Sequence, residues 1–151
     1  MRESLKTKLM RYGANLLPAF RASGGRITFI SNDIKHVQIK LPLNRKTRNI
    51  VGTIYGGSMY SAIDPIYMVM LMKLLGSEYI VWDKSAKIEY KRPGKTELRA
   101  DFNVSDELLS EIKEELTQSR NTTKIFQINL IDTSGKIVAK IEKTLYIAKQ
   151  K

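Results

Sequence analysis

The chain opens with a helical pattern of apolar residues and then changes to a strand pattern. Four apolar side chains at helical spacing predict an amphipathic helix over residues 3–17: Leu5, Leu9, Tyr12 and Leu16. Alternating apolar and polar positions then predict two strands, 26–30 and 36–41, joined by a polar turn. The only histidine, His36, falls on the polar side of the second strand, so we expect it to face solvent and to take no part in catalysis.

A long apolar run follows, and the strand pattern returns after it. The run from Ile54 to Leu75 predicts a helix that is apolar on almost every side and must be covered by other elements. Alternation then predicts four more strands, with a short helix capped by Ser105 after the second of them: 85–91, 98–104, 124–131 and 136–148. An antiparallel sheet of about six strands wrapped around the long helix buries that helix most simply, so we predict the α+β class.

Composition restricts the possible functions. At 151 residues with 42% hydrophobic side chains, the chain fits one domain over residues 1–151. With no cysteine and one histidine, disulfides, a thiol nucleophile, cysteine-bound zinc and histidine-rich metal clusters are excluded, and we predict no metal site. Asp64, Pro65 and Lys73 interrupt the apolar run, which makes it a poor membrane span, and the basic N-terminus lacks an apolar signal core. We therefore expect a cytoplasmic protein.

The chain is strongly basic. It has 26 Lys and Arg against 15 Asp and Glu, which gives a net charge of +11. This charge predicts attraction to polyanions, and nucleic acid, anionic lipid and phosphate-bearing cofactors all fit. Nucleic acid is disfavoured, because the aromatic residues fall mostly on core-facing positions and do not alternate with Lys and Arg on an exposed face.

Asp64 is the one carboxylate in the apolar run, eight positions after Gly56 of a glycine pair. Burying an isolated carboxylate costs several kcal/mol unless it is paired, hydrogen-bonded or used in chemistry. If the helix begins at the glycines, its free N–H groups favour an anion, and Asp64 lies two turns further in, beside Tyr60. Alternatively, Asp64 is the N-cap of a shorter helix that begins at Pro65. The residues alone leave both interpretations open.

The residues around this helix resemble a known family. The segment from Asn49 to Gly57, NIVGTIYGG, followed by Asp64, is similar to the signature of hotdog-fold acyl-CoA thioesterases of the phenylacetic-acid-degradation type. The segments GGSMY at 56–60 and DPIYM at 64–68, together with VWDK at 81–84, are closer still to a subgroup of uncharacterised bacterial hotdog domains. The resemblance covers roughly residues 20–148. It implies a hotdog fold with an extra N-terminal helix, and a central helix that starts at the glycines and kinks at Pro65.

The resemblance also implies catalytic roles. Asp64 is similar to the family's general base or nucleophile for thioester hydrolysis, and the Gly56 N–H to its oxyanion donor. Asn49 is expected to hold the attacking water or the carbonyl. Tyr55 stands where the family commonly has His. It can donate a hydrogen bond to a carbonyl, but it cannot carry the same proton traffic at neutral pH.

Further residues are implied to bind the substrate, an acyl-CoA or another acyl thioester. Gly57, Tyr60 and Asp83 are expected near the thioester, and a basic cluster is expected to hold the phosphates of coenzyme A: Lys91, Arg92 and Lys95, with Lys87 nearby. Coenzyme A enters only as part of the substrate, so no separate cofactor is predicted. We expect a homodimer, or a dimer of dimers, because a lone sheet has open edges and the family's sites are built from both subunits.

Two classes of function therefore remain. The first is an acyl-CoA thioesterase-like hydrolase with Asp64 as base. The second is a protein without catalysis, either a hotdog module that binds an acyl thioester or a basic protein that binds nucleic acid.

Overall fold

A six-stranded antiparallel sheet wraps around a central helix in the structure, a computed structural model that describes residues 2–150. The terminal residues of the predicted domain, Met1 and Lys151, lie outside the described residues. The elements follow in chain order: α1 (Leu5–Leu16), α2 (Pro18–Ser23), β1 (Arg26–Ile30), β2 (His36–Leu41), α3 (Gly56–Ile63), α4 (Ile66–Leu75), β3 (Tyr79–Tyr90), β4 (Leu98–Asn103), α5 (Asp106–Gln118), β5 (Asn121–Asp132) and β6 (Ile137–Lys149).

The order of strands across the sheet is β1-β2-β4-β5-β6-β3, so β1 and β3 form the two edges. The inner strands bury every second side chain, as their alternating sequences predict. The register of β2 on β4 sets apolar residues opposite each other: Val37 and Phe102, Ile39 and Ala100, Leu41 and Leu98. These side chains cover the apolar central helix, and the predicted hotdog fold of the α+β class is confirmed.

The central helix begins at Gly56 and is interrupted once. Its two parts, α3 and α4, are joined at Asp64 and Pro65, and Pro65 has no N–H to continue the helical hydrogen-bond ladder. No side chain caps the start of α4, and the side chain of Asp64 contacts β6 instead. The predicted start at the glycines and the kink at Pro65 are therefore confirmed, and the alternative in which Asp64 caps a shorter helix is wrong.

Two elements differ most from the sequence prediction, and β5 also starts three residues before its predicted bound. The short helix α2 begins directly at Pro18, where the first helix was expected to end. Strand β3 starts at Tyr79, six residues before the predicted strand, because apolar and polar positions do not alternate over 79–84; residues 82–87 are all exposed. An edge strand without a covering layer carries no apolar periodicity, so the pattern of its sequence does not reveal its length.

Helix α1 packs on the sheet with the face that carries Met10 and Ala14, and hydrogen bonds fix it there. Asn15 makes two hydrogen bonds to Ile27 at the edge of β1, accepting from its N–H at 2.8 Å and donating to its carbonyl at 2.9 Å. Glu3 pairs with Arg11 at 2.8 Å and accepts from the Ile30 N–H at 3.3 Å. Helix α1 thus covers the β1 edge through hydrogen bonds.

Candidate active site

A buried lysine sits between two carboxylates beside the break in the central helix. The Lys143 side chain is 0% exposed, and its Nζ lies 2.8 Å from Asp64 Oδ1 and 2.8 Å from Asp83 Oδ1. The same ammonium donates to the backbone carbonyl of Asp64. The carboxylate side chains are partly open, at 39% exposed for Asp64 and 29% for Asp83. The buried positive charge is therefore compensated, while each carboxylate keeps access to solvent.

The strand pattern explains how Lys143 reaches this position. Lys143 occupies the inward-facing phase of β6, in line with Ile141 and Leu145, which are fully buried. This phase faces the central helix, so Lys143 lies against the helix break at Asp64. Asp83 comes from β3, which pairs with β6 and carries a bulge directly after this residue. Sequence reasoning identified Asp64 and Asp83 but missed Lys143, although a lysine in the apolar phase of a strand was a usable signal.

Tyr60 lies next to this cluster, one turn before Asp64 on α3. Its ring centre is 5.8 Å from Lys143 Nζ. Burial raises the pKa of Tyr60 above its ordinary value, and the neighbouring carboxylates of Asp64 and Asp83 raise it further. The phenol therefore keeps its proton at neutral pH and is available as a hydrogen-bond donor.

An apolar cavity of about 450 Å³ ends at these residues. Its walls come from α1, α2, β1, β2 and the central helix, and they are almost entirely hydrophobic: Met10, Ala14, Leu17, Ala19, Phe20, Ile27, Ile30, Ile34, Val37, Ile66, Val69 and Met70. The few polar groups lie on the central helix, at Tyr60, Ser61 and Asp64. An apolar cavity with a few convergent polar groups is the usual form of a small-molecule site.

The glycine pair lines a second, more open groove of about 710 Å³. Gly56 begins α3, and its N-cap residue Tyr55 makes no side-chain capping bond, so the first amides of the helix are free of a side-chain cap. A Cβ atom at Gly56 would lie 2.7 Å from the Tyr90 hydroxyl, and one at Gly57 would lie 2.3 Å from the Tyr55 ring. The absent side chains are what allow two tyrosines to lie against this helix terminus.

The structure gives Asn49 a role in the loop that precedes the glycines. Its Oδ1 accepts from the N–H groups of Val51 and Thr53, at 3.1 Å and 3.0 Å, and its Nδ2 donates to Thr53 Oγ1 at 2.9 Å. Asn49 lines the groove, but these bonds occupy its side chain within the loop. It therefore orders the backbone that leads to Tyr55 and Gly56.

The predicted basic cluster divides into two parts. Lys91 and Arg92 line the groove beside the glycines, together with Pro93 and Gly94. Lys91 pairs with Glu89 at 2.5 Å, and Lys87, further along β3, pairs with the same carboxylate at 3.4 Å. Lys95 is exposed in the turn and does not line the groove.

Within one chain, Asp64 and the glycine pair face different cavities. The first group surrounds Lys143 near the apolar cavity and consists of Asp64, Tyr60 and Asp83. The second group lies at the start of α3 and consists of Gly56, Gly57, Tyr55 and Asn49. Asp64 comes eight residues after Gly56, which is about 12 Å along a helix. A single thioester cannot contact both groups of one chain at once.

The chain belongs to the family described as a domain of unknown function, DUF4442, whose model matches residues 6–147. Three solved structures are similar to it. A protein of unknown function from Pseudomonas aeruginosa, described as a probable thioesterase, is 18% identical, with 99% of this chain and 100% of that chain covered and a TM-score of 0.85. A protein of unknown function from Chlorobaculum tepidum is 18% identical, with 97% and 95% covered and a TM-score of 0.75. A thioesterase from Haemophilus influenzae is 14% identical, with 99% and 93% covered and a TM-score of 0.70.

At these identities the similarity establishes the shared fold. The predicted resemblance to hotdog thioesterase-like proteins, and to an uncharacterised bacterial subgroup of them, is confirmed. No curated protein matches the sequence significantly. Within residues 2–150, no helix is long and apolar enough to cross a membrane.

Proposed function

We propose that this member of the DUF4442 family hydrolyses the thioester of acyl-coenzyme A molecules that carry long apolar acyl groups. The observation that supports this function most directly is the apolar cavity of about 450 Å³ that ends at Asp64 and Tyr60. A methylene group takes about the volume of a water molecule, roughly 30 Å³, so the cavity holds an acyl chain on the order of ten carbons or more. Its walls offer such a chain hydrophobic contact on several sides.

Asp64 is the proposed general base. Its partly exposed carboxylate takes a proton from water, the hydroxide oxygen attacks the thioester carbonyl, and the carbon–sulfur bond then breaks to release the coenzyme A thiol, with the proton returned to sulfur. Lys143 fixes the position of the carboxylate by its bond to Oδ1 and to the backbone. Tyr60 donates a hydrogen bond beside the reacting carbonyl.

The oxyanion that forms during attack is assigned to the free amides of Gly56 and Gly57. Fixed backbone donors stabilise such a charge by roughly 3 kcal/mol each. Because these amides are too far from Asp64 of the same chain, we place them in the partner subunit of a homodimer. A two-fold axis beside β3 would set the two central helices antiparallel, so that the N-terminus of one approaches the middle of the other.

Strand β3 is the proposed dimer contact. It is a twelve-residue edge strand, and its exposed stretch over 82–87 includes Trp82 and Ala86. A long uncovered edge of this kind is open to pairing with a second copy. Sedimentation should give a dimer at micromolar concentration, and Ala86→Pro should convert it to monomer, because proline interrupts strand pairing. A monomeric wild type would contradict both the dimer and the shared site.

The nucleotide end of coenzyme A is assigned to the groove beside the glycines. Lys91 and Arg92 lie there, and Lys95 is exposed in the adjoining turn. Arg grips phosphate with two parallel hydrogen bonds and Lys acts as a point charge. Arg92→Ala should therefore raise KM for acyl-CoA more than KM for the matching acyl-pantetheine, which lacks the nucleotide.

The decisive experiment measures thiol release from saturated acyl-CoAs of increasing chain length. We expect kcat/KM to rise with chain length up to the size of the cavity. Asp64→Asn should reduce kcat by at least about a hundredfold, while Glu114→Gln, an exposed carboxylate change on α5, should leave it unchanged. Ala14→Phe, which fills part of the cavity wall, should shift the preference to shorter chains.

The same experiment separates the proposal from a non-catalytic binding module. A module without catalysis would release no thiol from any substrate, yet mass spectrometry would detect an acyl thioester that co-purifies with the wild type and is lost on Ala14→Phe. Hydrolysis that persists in Asp64→Asn would remove Asp64 from the role of base.

A further inference from the structure

The apolar stripe of helix α1 faces solvent. Its large side chains are 59% to 76% exposed and form one line along the whole helix and into the following turn: Leu5, Leu9, Tyr12, Leu16 and Leu17. The opposite face carries the buried Thr7 and the hydrogen-bonding Asn15. An exposed apolar surface of this size is unusual for a soluble domain and marks a contact site.

This orientation is fixed by specific contacts. Asn15 bonds to both backbone groups of Ile27, and the ion pair of Glu3 with Arg11 lies on the same inner side. A rotation of α1 that buried the leucines would break all of these bonds and expose the β1 edge. The apolar stripe is therefore the outer surface of the folded protein.

Positive charge borders the stripe on both sides. On a helix with 100° between residues, Lys6 and Lys8 fall on opposite flanks of the line from Leu5 to Leu16, and both are exposed. In residues 1–32 there is one acid, Glu3, against six basic residues: Arg2, Lys6, Lys8, Arg11, Arg21 and Arg26. Because Glu3 pairs with Arg11, the outer surface of this region is almost purely cationic.

We propose that the outer face of α1 binds the surface of an anionic lipid membrane. A straight apolar line of about 18 Å, flanked by lysines and carrying one tyrosine, has the features of a helix that lies in the plane of a lipid interface. The apolar side chains enter the acyl boundary and the lysines contact the lipid phosphates. A second copy is a poor occupant, since it would bring two cationic rims together. The proposed β3 dimer does not cover the stripe either, because α1 packs at β1, on the other edge of the sheet.

Helix α1 also forms part of the wall of the apolar cavity. Met10 and Ala14 line the apolar cavity from α1, and Leu17 lines it from the turn after the helix, so the membrane contact would set the cavity wall against the lipid interface. An apolar ligand could then pass between bilayer and cavity without crossing bulk water. The lipid contact itself does not depend on thioester hydrolysis and is tested without it.

The test is flotation of the full chain with vesicles of phosphatidylcholine alone and with vesicles that also contain phosphatidylglycerol. We expect binding to the phosphatidylglycerol vesicles, weaker binding at high salt, and little binding to phosphatidylcholine. Two double variants should each lower the partition coefficient by about tenfold or more. One removes apolar contact, Leu9→Glu with Leu16→Glu, and the other removes positive charge, Lys6→Glu with Lys8→Glu.

Matched controls distinguish this face from general surface effects. Ile125→Glu replaces an exposed apolar residue on β5, and Lys113→Glu an exposed lysine on α5. Both should bind vesicles like the wild type. In a Trp82→Phe background, the fluorescence of Tyr12→Trp should shift to the blue when phosphatidylglycerol vesicles are added, as the indole leaves water.

Several results would overturn the proposal. The wild type could fail to bind phosphatidylglycerol vesicles, or the control variants could lose binding as strongly as the α1 variants. A fall in sedimenting mass on Leu9→Glu with Leu16→Glu would assign the stripe to a second copy. Retained binding in both α1 double variants would place the lipid contact elsewhere. The melting temperature of every variant is measured alongside, and a value equal to that of the wild type shows that a change in binding comes from the surface and not from unfolding.

Discussion

Lys143→Met tests the buried cluster of Asp64, Lys143 and Asp83 most directly. Methionine matches the length of the lysine stem but removes the ammonium, and with it the two contacts of 2.8 Å and the bond to the Asp64 carbonyl. Both carboxylate oxygens touch the same nitrogen, so they lie no more than twice that distance apart. Without the cation, the two negative charges repel each other across this gap.

Removing one partner of a buried ion pair costs about 3–5 kcal/mol. The lower end applies here, because the two carboxylates are 39% and 29% exposed and water can partly replace the ammonium. We therefore expect a loss of about 3 kcal/mol, equivalent to a decrease in Tm of roughly 6–12 °C for a chain of this size. Urea unfolding at fixed protein concentration measures the free energy, since a dimer would make it concentration-dependent.

Two controls define the interpretation. Lys140→Met removes an exposed lysine from the same strand and should change stability by less than about 0.5 kcal/mol. Combining Lys143→Met with Asp64→Asn and Asp83→Asn removes both unpaired charges and should recover at least half of the loss. A single-variant loss below about 1 kcal/mol, or a triple variant no more stable than Lys143→Met, would refute the reasoning.

Two further predictions concern the backbone and pH. A Cβ atom at Gly25 would lie 2.7 Å from the Cβ of the buried Ala62 and 3.2 Å from its Cα, so Gly25→Ala should destabilise by about 1–3 kcal/mol in urea unfolding. The control Gly13→Ala has open space around it inside α1 and should stabilise by about 0.5–1 kcal/mol. Equal effects of the two changes would contradict the close packing of α3 on Gly25. The hydrogen bond from Arg11 lowers the pKa of Glu3 below its ordinary value of 4.5, so the stability from this pair is complete above that value and is lost as the pH falls through the lower folded-state pKa. Glu3→Gln should remove this part of the acid dependence of Tm, and an unchanged profile would show that the pair does not hold α1.

The parts of the fold that sequence predicted are those in which one side of an element faces a core. Strands β1 and β2 have the predicted bounds. In β2 the alternation with period two directly reflects burial on one side, whereas in β1 a bulge between Ile27 and Phe29 interrupts it. The start of the central helix at Gly56 needed the family resemblance, since Pro65 after Asp64 gives an equally good local signal for a helix start. That local signal indicates a helix start at Pro65, but the folded chain starts the helix at Gly56 and uses the Asp64 side chain to bind Lys143.

The site was predictable only in part, because its contacts join residues far apart in the chain. Asp64 and Lys143 are 79 positions apart, and nothing in the sequence around either one identifies the other. Sequence alone therefore treats Asp64 as an unpaired buried charge, for which Asp64→Asn would be neutral or stabilising. The structure predicts the opposite, a loss of about 1–2 kcal/mol, because Lys143 would keep only one carboxylate.

Two features break the rule that polar residues face out and apolar residues face in, and both have a candidate role. Lys143 points into the core, where an aliphatic residue would pack without a desolvation penalty, and it holds the carboxylate proposed to act as base. Leu9 and its neighbours on α1 point to water, where polar residues would be more soluble, and they form the face proposed to meet lipid. Burying a lysine with two carboxylates carries a desolvation cost that a fully apolar set of residues would avoid, and an apolar stripe in water loses the gain from burial, so stability alone explains neither arrangement. Conflicts of this kind between local pattern and folded position are expected where a protein meets a ligand or a surface, which is why these two places, and not the well-packed inner strands, carry the proposals.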